Sequence, residues 1–107
     1  MATVIAEDGC MEITGIVADW DYAASKPDDW PDNPRLASIS LHPGGADEFV
    51  VRQRRVGAVR RIHWTCADAN DDRVKYFHGV RCVPFIDLSE CTLNAGHVVI
   101  IELWRDS

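Results

Sequence analysis

The chain has 107 residues, of which 47% are apolar and 26% are charged, and its formal net charge at pH 7 is −6. This composition is typical of a globular protein, and the length predicts a single domain over residues 1–107. The longest aliphatic run, residues 98–101, is far below the roughly 20 residues of a transmembrane helix. The first residues lack a secretory signal pattern. We therefore expect no membrane partner and a location in the cytoplasm or in a virus particle.

Positive charge is concentrated in one segment, residues 49–66. It contains five of the nine arginines and no acidic residue, whereas residues 1–48 contain ten acidic and two basic residues. Residues 62–107 are again acidic overall, with seven acidic and four basic side chains. The five arginines of the segment are Arg52, Arg54, Arg55, Arg60 and Arg61.

The N-terminal part predicts a β-hairpin. Residues 3–6 form a short apolar strand, and Asp8-Gly9 is a strong signal for the turn that follows. A second strand is expected over residues 10–18, with Gly15 as a bulge or a close backbone approach. The residues that share one face of this strand are Met11, Ile13 and Val17.

Residues 19–34 predict a long acidic loop, with five aspartates and three prolines. The prolines exclude a central strand and interrupt any helix, although Tyr22 can begin one helical turn. The aromatic residues of the loop allow two interpretations: they anchor it to the core, or they form a contact surface among acids. The candidate contact residues are Asp28, Asp29, Trp30 and Asp32.

The arginine-rich segment predicts a second hairpin over residues 49–66, preceded by a strand over residues 35–41 and a turn at 42–45. Gly57-Ala58 suits a two-residue turn or a bulge. Both faces carry arginine near this point, so we expect the tip to project beyond the core. The residues expected to enter the core at the base are Phe49, Val51, Ile62, Trp64 and Cys66.

The C-terminal part predicts a polar turn at 67–72 and strands at 73–78, 81–88 and 97–104. Pro84 favours an edge position for the second of these strands, and Ser89 is the expected N-cap of a short helical turn. Continuous apolar residues in the last strand indicate a covered or central position. The whole chain thus predicts an all-β fold, a single-domain β-sandwich or partly open barrel of seven to eight short, mostly antiparallel strands with a long acidic loop.

Motifs for chemistry are lacking in the sequence. His63 and Cys66 fall on opposite faces of a strand and do not converge as zinc requires. His78 and Cys82 are in phase along the chain, but Gly79 lies between them and interrupts the strand pattern. No nucleophile motif or phosphate-binding loop is present, and the four cysteines are expected to be reduced. We therefore predict no enzymatic activity, no catalytic or metal-binding residue, no cofactor and no small-molecule substrate.

A protein contact is the function that we favour for the arginine-rich hairpin. Nucleic acid is disfavoured as a partner because the rest of the chain is strongly acidic and repels phosphate. The alternative to a protein contact is a hairpin whose charges are only solvated. An acidic loop and a basic arm on one molecule favour head-to-tail association of identical copies, and hence a homo-oligomer. In general outline the chain resembles small all-β tail or capsid proteins of phages, so we predict a structural protein of a phage virion. The alternative is a small acidic inhibitor or adaptor, of the type that phages encode, which covers the nucleic-acid-binding surface of a partner protein.

Overall fold

Two antiparallel sheets face each other in the computed structural model, which describes residues 2–105. The first sheet has the strand order β1-β2-β9-β4-β7 and the second β3-β8-β5-β6. An all-β, sandwich-like fold is therefore confirmed. The nine strands within the described residues are β1 (Thr3–Glu7), β2 (Cys10–Thr14), β3 (Trp20–Asp21), β4 (Leu36–His42), β5 (Glu48–Gln53), β6 (Arg60–Thr65), β7 (Arg73–Tyr76), β8 (Pro84–Ile86) and β9 (Val98–Leu103). One short helix, α1 (Tyr22–Ser25), and a 3₁₀ turn, Leu88–Glu90, complete the structure.

Alternating side chains of the two sheets form the core. The first sheet contributes an inner face that runs across four strands, and β9 lies at its centre between β2 and β4, as the apolar sequence of β9 predicted. The second sheet contributes the inner faces of β5, β6 and β8. The buried residues on these faces are Met11, Ile13, Ile39, Leu41, Phe49, Val51, Ile62, Ile86, Val99 and Ile101.

Gly15 changes the direction of the chain after β2. The strand ends at Thr14, and Gly15 adopts a φ of +67°, a conformation that is costly for other residues. The alternation is therefore interrupted: Ile16 is buried and Val17 is 65% exposed. The prediction that Val17 shares the inward face of Met11 and Ile13 is wrong for this reason.

Pro84 lies inside the second sheet and not at its edge. Its strand β8 has β3 on one side and β5 on the other, which corrects the predicted edge position. The proline is tolerated because it is the first residue of β8: it pairs with Gln53, while β3 reaches only Phe85 and Ile86. Proline has no N–H to donate to a neighbouring strand, and this is tolerated at the first residue of a strand as it is on an edge strand.

Asp87, and not Ser89, caps the 3₁₀ turn that follows β8. The Asp87 carboxylate accepts hydrogen bonds from the backbone N–H of Ser89 at 3.1 Å and from its hydroxyl at 2.6 Å. Ser89, the predicted cap residue, therefore donates to the observed cap, which lies two residues earlier in the chain than expected.

The carboxylate of Asp47 ties together two distant turns. It is fully buried and accepts hydrogen bonds from Gly44 N–H at 3.0 Å, from Asn94 N–H at 3.1 Å and from the Asn94 side chain at 2.5 Å. The two turns meet so closely that a Cβ on Gly44 would lie 2.3 Å from the carbonyl oxygen of Ala95. The turn that leads from β4 to β5 is thereby held against the turn that precedes β9.

His97 provides a second link of this kind. Its ring is buried, its Nε2 lies 3.0 Å from the backbone nitrogen of Ile16, and its Nδ1 lies 2.8 Å from the carbonyl oxygen of Asn94. The neutral tautomer with a proton on Nδ1 satisfies both contacts, since Ile16 N–H can only donate. The segment after β2 is thereby fastened to the start of β9.

Asp47→Ala is expected to lower the free energy of unfolding by about 2 kcal/mol, because three part-buried hydrogen bonds that join two turns are lost. Urea unfolding followed by fluorescence measures the change. Asp29→Ala, in an exposed turn, is the matched control and should change stability by less than about 0.5 kcal/mol. Equal effects of the two substitutions would show that the Asp47 contacts do not stabilise the fold.

Candidate protein-binding surface

The base of the arginine-rich hairpin is part of the core, as predicted. Strands β5 and β6 pair with Phe49 opposite Trp64 and Val51 opposite Ile62, and the rings of Phe49 and Trp64 stack with centroids 5.9 Å apart. Val50, on the other face of β5, is also buried. The hairpin is therefore held from both sides at its base.

Cys91 covers Val50 and replaces a missing strand partner. Its Sγ lies 3.5 Å from the backbone nitrogen of Val50 and 3.7 Å from its carbonyl oxygen. The 3₁₀ turn Leu88–Glu90 interrupts the pairing with β5, which resumes at Thr92 opposite Glu48. Burial raises the pKa of the Cys91 thiol above its ordinary value, so it stays a protonated hydrogen-bond donor.

Glu90, which the same turn projects, pairs with Arg52. The contact is bidentate, with Nε–Oε1 at 2.6 Å and Nη2–Oε2 at 2.7 Å, and both side chains are only 17% exposed. The remaining nitrogen, Nη1, donates to the carbonyl oxygen of Ala58. Arg52 therefore stabilises the hairpin through these internal contacts, which corrects the expectation that it belongs to the projecting tip.

The same carboxylate also contacts Arg60, which lies directly opposite Arg52 in the hairpin and is 47% exposed. Arg60 Nη2 lies 3.1 Å from Glu90 Oε2, and its Nη1 lies 3.3 Å from His63, whose other nitrogen lies 2.8 Å from Glu48. Two arginines face to face across strands repel each other, and Glu90 offsets that repulsion. The sequence offered no signal for this network because Glu90 is 38 residues from Arg52.

The two arginines hold the pKa of Glu90 at about 2, far below the ordinary value of 4.5, with the hydrogen bond from Arg52 as the largest cause. The same bond raises the pKa of Arg52. Glu90 is therefore ionised in the folded protein at any pH at which the protein would normally be handled.

Arg61 packs against the edge of the other sheet. Its guanidinium lies 5.6 Å from the ring centroid of Phe77, and Lys75 lies 5.3 Å from the same ring. Lys75 Nζ also donates to the carbonyl oxygen of Arg61 at 2.7 Å. Arg61 therefore helps to join β6 to β7 and is half-buried, so it too contributes little to the exposed charge of the tip.

Arg54 and Arg55 remain as the exposed charges of the tip. The connection between β5 and β6 spans residues 54–59 and has positive φ at Arg54 and at Gly57, so it is longer than the two-residue turn considered from the sequence. The bulge considered at Gly57-Ala58 is not found there: the register shift of the hairpin falls between Val51 and Arg52. Within residues 2–105, Arg54 and Arg55 have no ion pair within 4 Å.

Backbone hydrogen bonds hold the tip in place. Gln53 N–H donates to Val59 at 3.0 Å, and Arg54 N–H donates to Val83 at 2.8 Å, which attaches the start of the tip to the neighbouring segment. Beside the two arginines, Val56 and Val59 are 57% and 66% exposed. The tip is therefore an ordered surface that combines two cations with two aliphatic side chains; we refer to residues 54–59 as the basic tip.

The acidic loop is anchored by its aromatic residues. Trp20, Tyr22 and Trp30 are all buried, and the Tyr22 hydroxyl donates to the carbonyl oxygen of Pro31 at 2.7 Å. The loop also includes β3 and α1, whose N-cap is Asp21. The anchoring interpretation accounts for these contacts. Trp30, at 7% exposure, therefore supports the loop from inside and offers almost no contact surface of its own.

The three candidate aspartates of the loop are exposed. Asp28 and Asp29 occupy the centre of a turn that is closed by a 3.0 Å hydrogen bond from Trp30 N–H to Pro27. Asp32 is 95% exposed and lies 3.2 Å from Lys26. Because Trp30 is fixed in the core, the carboxylates of Asp28 and Asp29 are presented at a defined position.

A second acidic surface lies on the outer face of the first sheet and was missed in the sequence. Pairing places Glu7 opposite Cys10 and Cys10 opposite Glu102, with Glu12 two residues along the same strand. The pKa of the Cys10 thiol is raised by burial and then by Glu102 and Glu12. No lysine or arginine occurs in β1, β2 or β9. Glutamates at alternating positions of the strands were the pattern in the sequence that could have indicated this surface.

Neither the metal-ligand geometry of the described residues nor comparison with known proteins indicates another functional site. Within the described residues, no group of three or more His, Cys, Asp or Glu side chains is arranged to hold a metal ion. In the same part of the chain, no helix has the length and hydrophobicity needed to cross a membrane. Comparison with protein-family models, with curated proteins and with solved structures found no match.

Glu90 should make stability depend on pH in acid. Its folded pKa of about 2 lies below its ordinary value of 4.5, so its stabilising contribution is complete above pH 4.5 and is lost as the pH falls toward 2. Glu90→Gln should lower the free energy of unfolding at neutral pH and flatten its decline in this range, as measured by urea unfolding. The control Glu12→Gln, an exposed carboxylate, should keep the steep decline. Parallel curves for Glu90→Gln and the unchanged protein would contradict the assignment.

Proposed function

We propose that this chain is a non-enzymatic assembly protein whose copies associate through the basic tip of one and the acidic loop of the next. The observation that supports this is the tip itself, where Arg54 and Arg55 are exposed next to Val56 and Val59. Arginine and apolar groups together are typical of protein interfaces. The hydrogen bonds of the tip order it in advance, so association loses little conformational entropy.

The acceptor in this proposal is the turn that carries Asp28 and Asp29. Both carboxylates are exposed, and the buried Trp30 holds the turn against the core. Charge complementarity of this kind determines register and partner choice more than affinity, and salt screens it. Asp32 adds to the negative potential of the same loop, although Lys26 offsets part of it.

The tip and the loop are different surfaces, so the contact is heterologous. Repetition of such a contact closes into a ring or continues as a filament. Repeated small subunits of this type build virus particles, and the setting that we propose is a phage virion, with this chain as a tail or capsid component. The protein is then found in the particle and in the cytoplasm where the particle is made.

Assembly that depends on the tip should weaken with salt and with loss of its charge. We expect oligomers at low ionic strength in size-exclusion chromatography with light scattering, and a loss of this association for Arg54→Gln combined with Arg55→Gln. The control is Arg105→Gln, which removes a charge from an exposed arginine outside the hairpin and should preserve association. A protein that shows no salt-dependent association at any concentration would rule out the proposal.

Charge exchange provides the sharper test. Arg54→Glu with Arg55→Glu makes the tip acidic, and Asp28→Lys with Asp29→Lys makes the loop basic, so each variant alone should fail to assemble by this contact. A mixture of the two restores both complementary contacts and should assemble again. If mixing restores nothing although both variants are folded by circular dichroism, the tip and the loop are not partners.

The outer acidic surface favours a second candidate function, an inhibitor or adaptor that binds another protein. Glu7, Glu12 and Glu102 lie together on a sheet face without basic residues in β1, β2 or β9, and such a face is complementary to a basic nucleic-acid-binding surface. This candidate predicts that a monomeric bait recovers one stoichiometric partner. Glu12→Gln with Glu102→Gln should then abolish recovery, whereas changes in the tip should not.

A further inference from the structure

The four edges of the two sheets are not equally protected against pairing with another chain. Edge strands usually carry features that hinder such pairing: short length, cations, proline, bulges or cover by another segment. In this structure β3 has only two residues, and β7 carries Arg73 and Lys75. These two edges are therefore poor templates for an added strand.

The edge at β6 is protected by the same two cations. Lys75 Nζ donates to the carbonyl oxygen of Arg61 at 2.7 Å, and Arg73 Nη2 donates to that of Thr65 at 3.1 Å. Two backbone acceptors of β6, at Arg61 and Thr65, are thus already occupied. The strand also begins with two arginines, Arg60 and Arg61.

Strand β1 has none of these features. Its sequence, TVIAE, contains no lysine, arginine or proline, and it pairs with β2 over all five residues without a register shift. Within residues 2–105, no hydrogen bond outside the β1–β2 ladder involves its residues. Its side chains at Thr3, Ile5 and Glu7 are exposed, and Ile5 is 58% exposed. The outer edge of β1 is therefore an unprotected template.

The sequence of β1 is complementary to itself in the antiparallel direction. A twofold axis at Ile5 places Ile5 opposite its own copy, Val4 opposite Ala6, and Thr3 opposite Glu7. The inward-facing residues Val4 and Ala6 already pack against the core, so this register continues the apolar face from one copy to the next. Parallel pairing in register would instead place Glu7 beside Glu7, and a slip by one residue would turn the apolar face outward.

We propose that β1 pairs with β1 of a second copy about this twofold axis and joins two five-stranded sheets into one sheet of ten strands. Two observations identify a second copy as the partner. The sequence of β1 is complementary to itself in the antiparallel direction, and β1 lacks the protective features that the other three edge strands have. The contact is isologous and closes as a dimer. It rests on backbone hydrogen bonds and apolar contact and not on the basic tip, so it is independent of the function proposed above.

High salt separates the two contacts. At about 1 M salt the Debye length is about 3 Å, so an association through exposed charges is suppressed, while strand pairing persists. We expect the unchanged protein under this condition to have twice the monomer mass in sedimentation and light scattering, with a dissociation that appears on dilution. A monomer mass throughout the dilution series would overturn the proposal.

Ile5→Lys tests the axis directly, because it places two like charges opposite each other in the dimer. We expect dimer dissociation to increase by at least about tenfold. Val17→Lys is the matched control: it changes an equally exposed aliphatic residue outside the strands and should leave the dimer intact. Retention of the dimer by Ile5→Lys would overturn the proposal.

Amide hydrogen exchange of the unchanged protein provides a second test, which does not depend on whether Ile5→Lys folds. In the unchanged protein, alternate amides of β1 face outward, and their exchange should slow as the protein concentration rises; exchange independent of concentration would contradict strand pairing. Arg54→Gln with Arg55→Gln should lose the salt-sensitive assembly and keep the dimer. A failure of the tip contact is thereby distinguished from a failure of the β1 contact.

Discussion

The carboxylate of Glu90 is the constraint on which the arginine-rich hairpin depends. Arg52 and Arg60 stand directly opposite each other on β5 and β6, an arrangement that repulsion would otherwise disfavour. Glu90 binds one bidentately and contacts the other, and Arg52 then uses its remaining nitrogen to hold Ala58 at the end of the hairpin. One acid from a 3₁₀ turn therefore allows a strongly cationic segment to end in an ordered tip. It also offsets one of the two positive charges of this pair, of which Arg52 is only 17% exposed while Arg60 stays 47% exposed.

Side chains also complete the backbone hydrogen bonding at three places outside the regular strand pairs. Asp47 satisfies N–H groups of two turns that no strand reaches, and His97 does the same for Ile16. Cys91 occupies the place of a strand partner beside Val50. Buried polar backbone groups without partners are costly, so these three residues allow short strands and abrupt connections to coexist in a domain of this size. Their polarity is structural, and it explains polar residues that would otherwise suggest a reactive site.

Cations have two different roles in this protein. Arg73 and Lys75 bond to carbonyl groups of β6 and close the gap between the two sheet edges, whereas Arg54 and Arg55 have no ion pair within the described residues and stand beside exposed valines. The first pair prevents strand addition at one side of the sandwich. The second pair remains available for an acidic partner. The unprotected edge at β1 is the edge of the first sheet opposite to β7.

Local pattern by itself determined the all-β class, the Asp8-Gly9 hairpin, the central β9 and the inward residues at the hairpin base, because alternation and turn residues act over a few positions. Only the tertiary structure decided which charges remain exposed. Glu90, Phe77 and Lys75 reach the arginines from distant segments, and a side chain's availability depends on such neighbours in space. The same holds for Val17, whose direction changed at one glycine with positive φ, and for Pro84, whose place in the sheet depended on the length of β3. Sequence order does not encode these contacts locally, since each arises only when the two sheets close on each other.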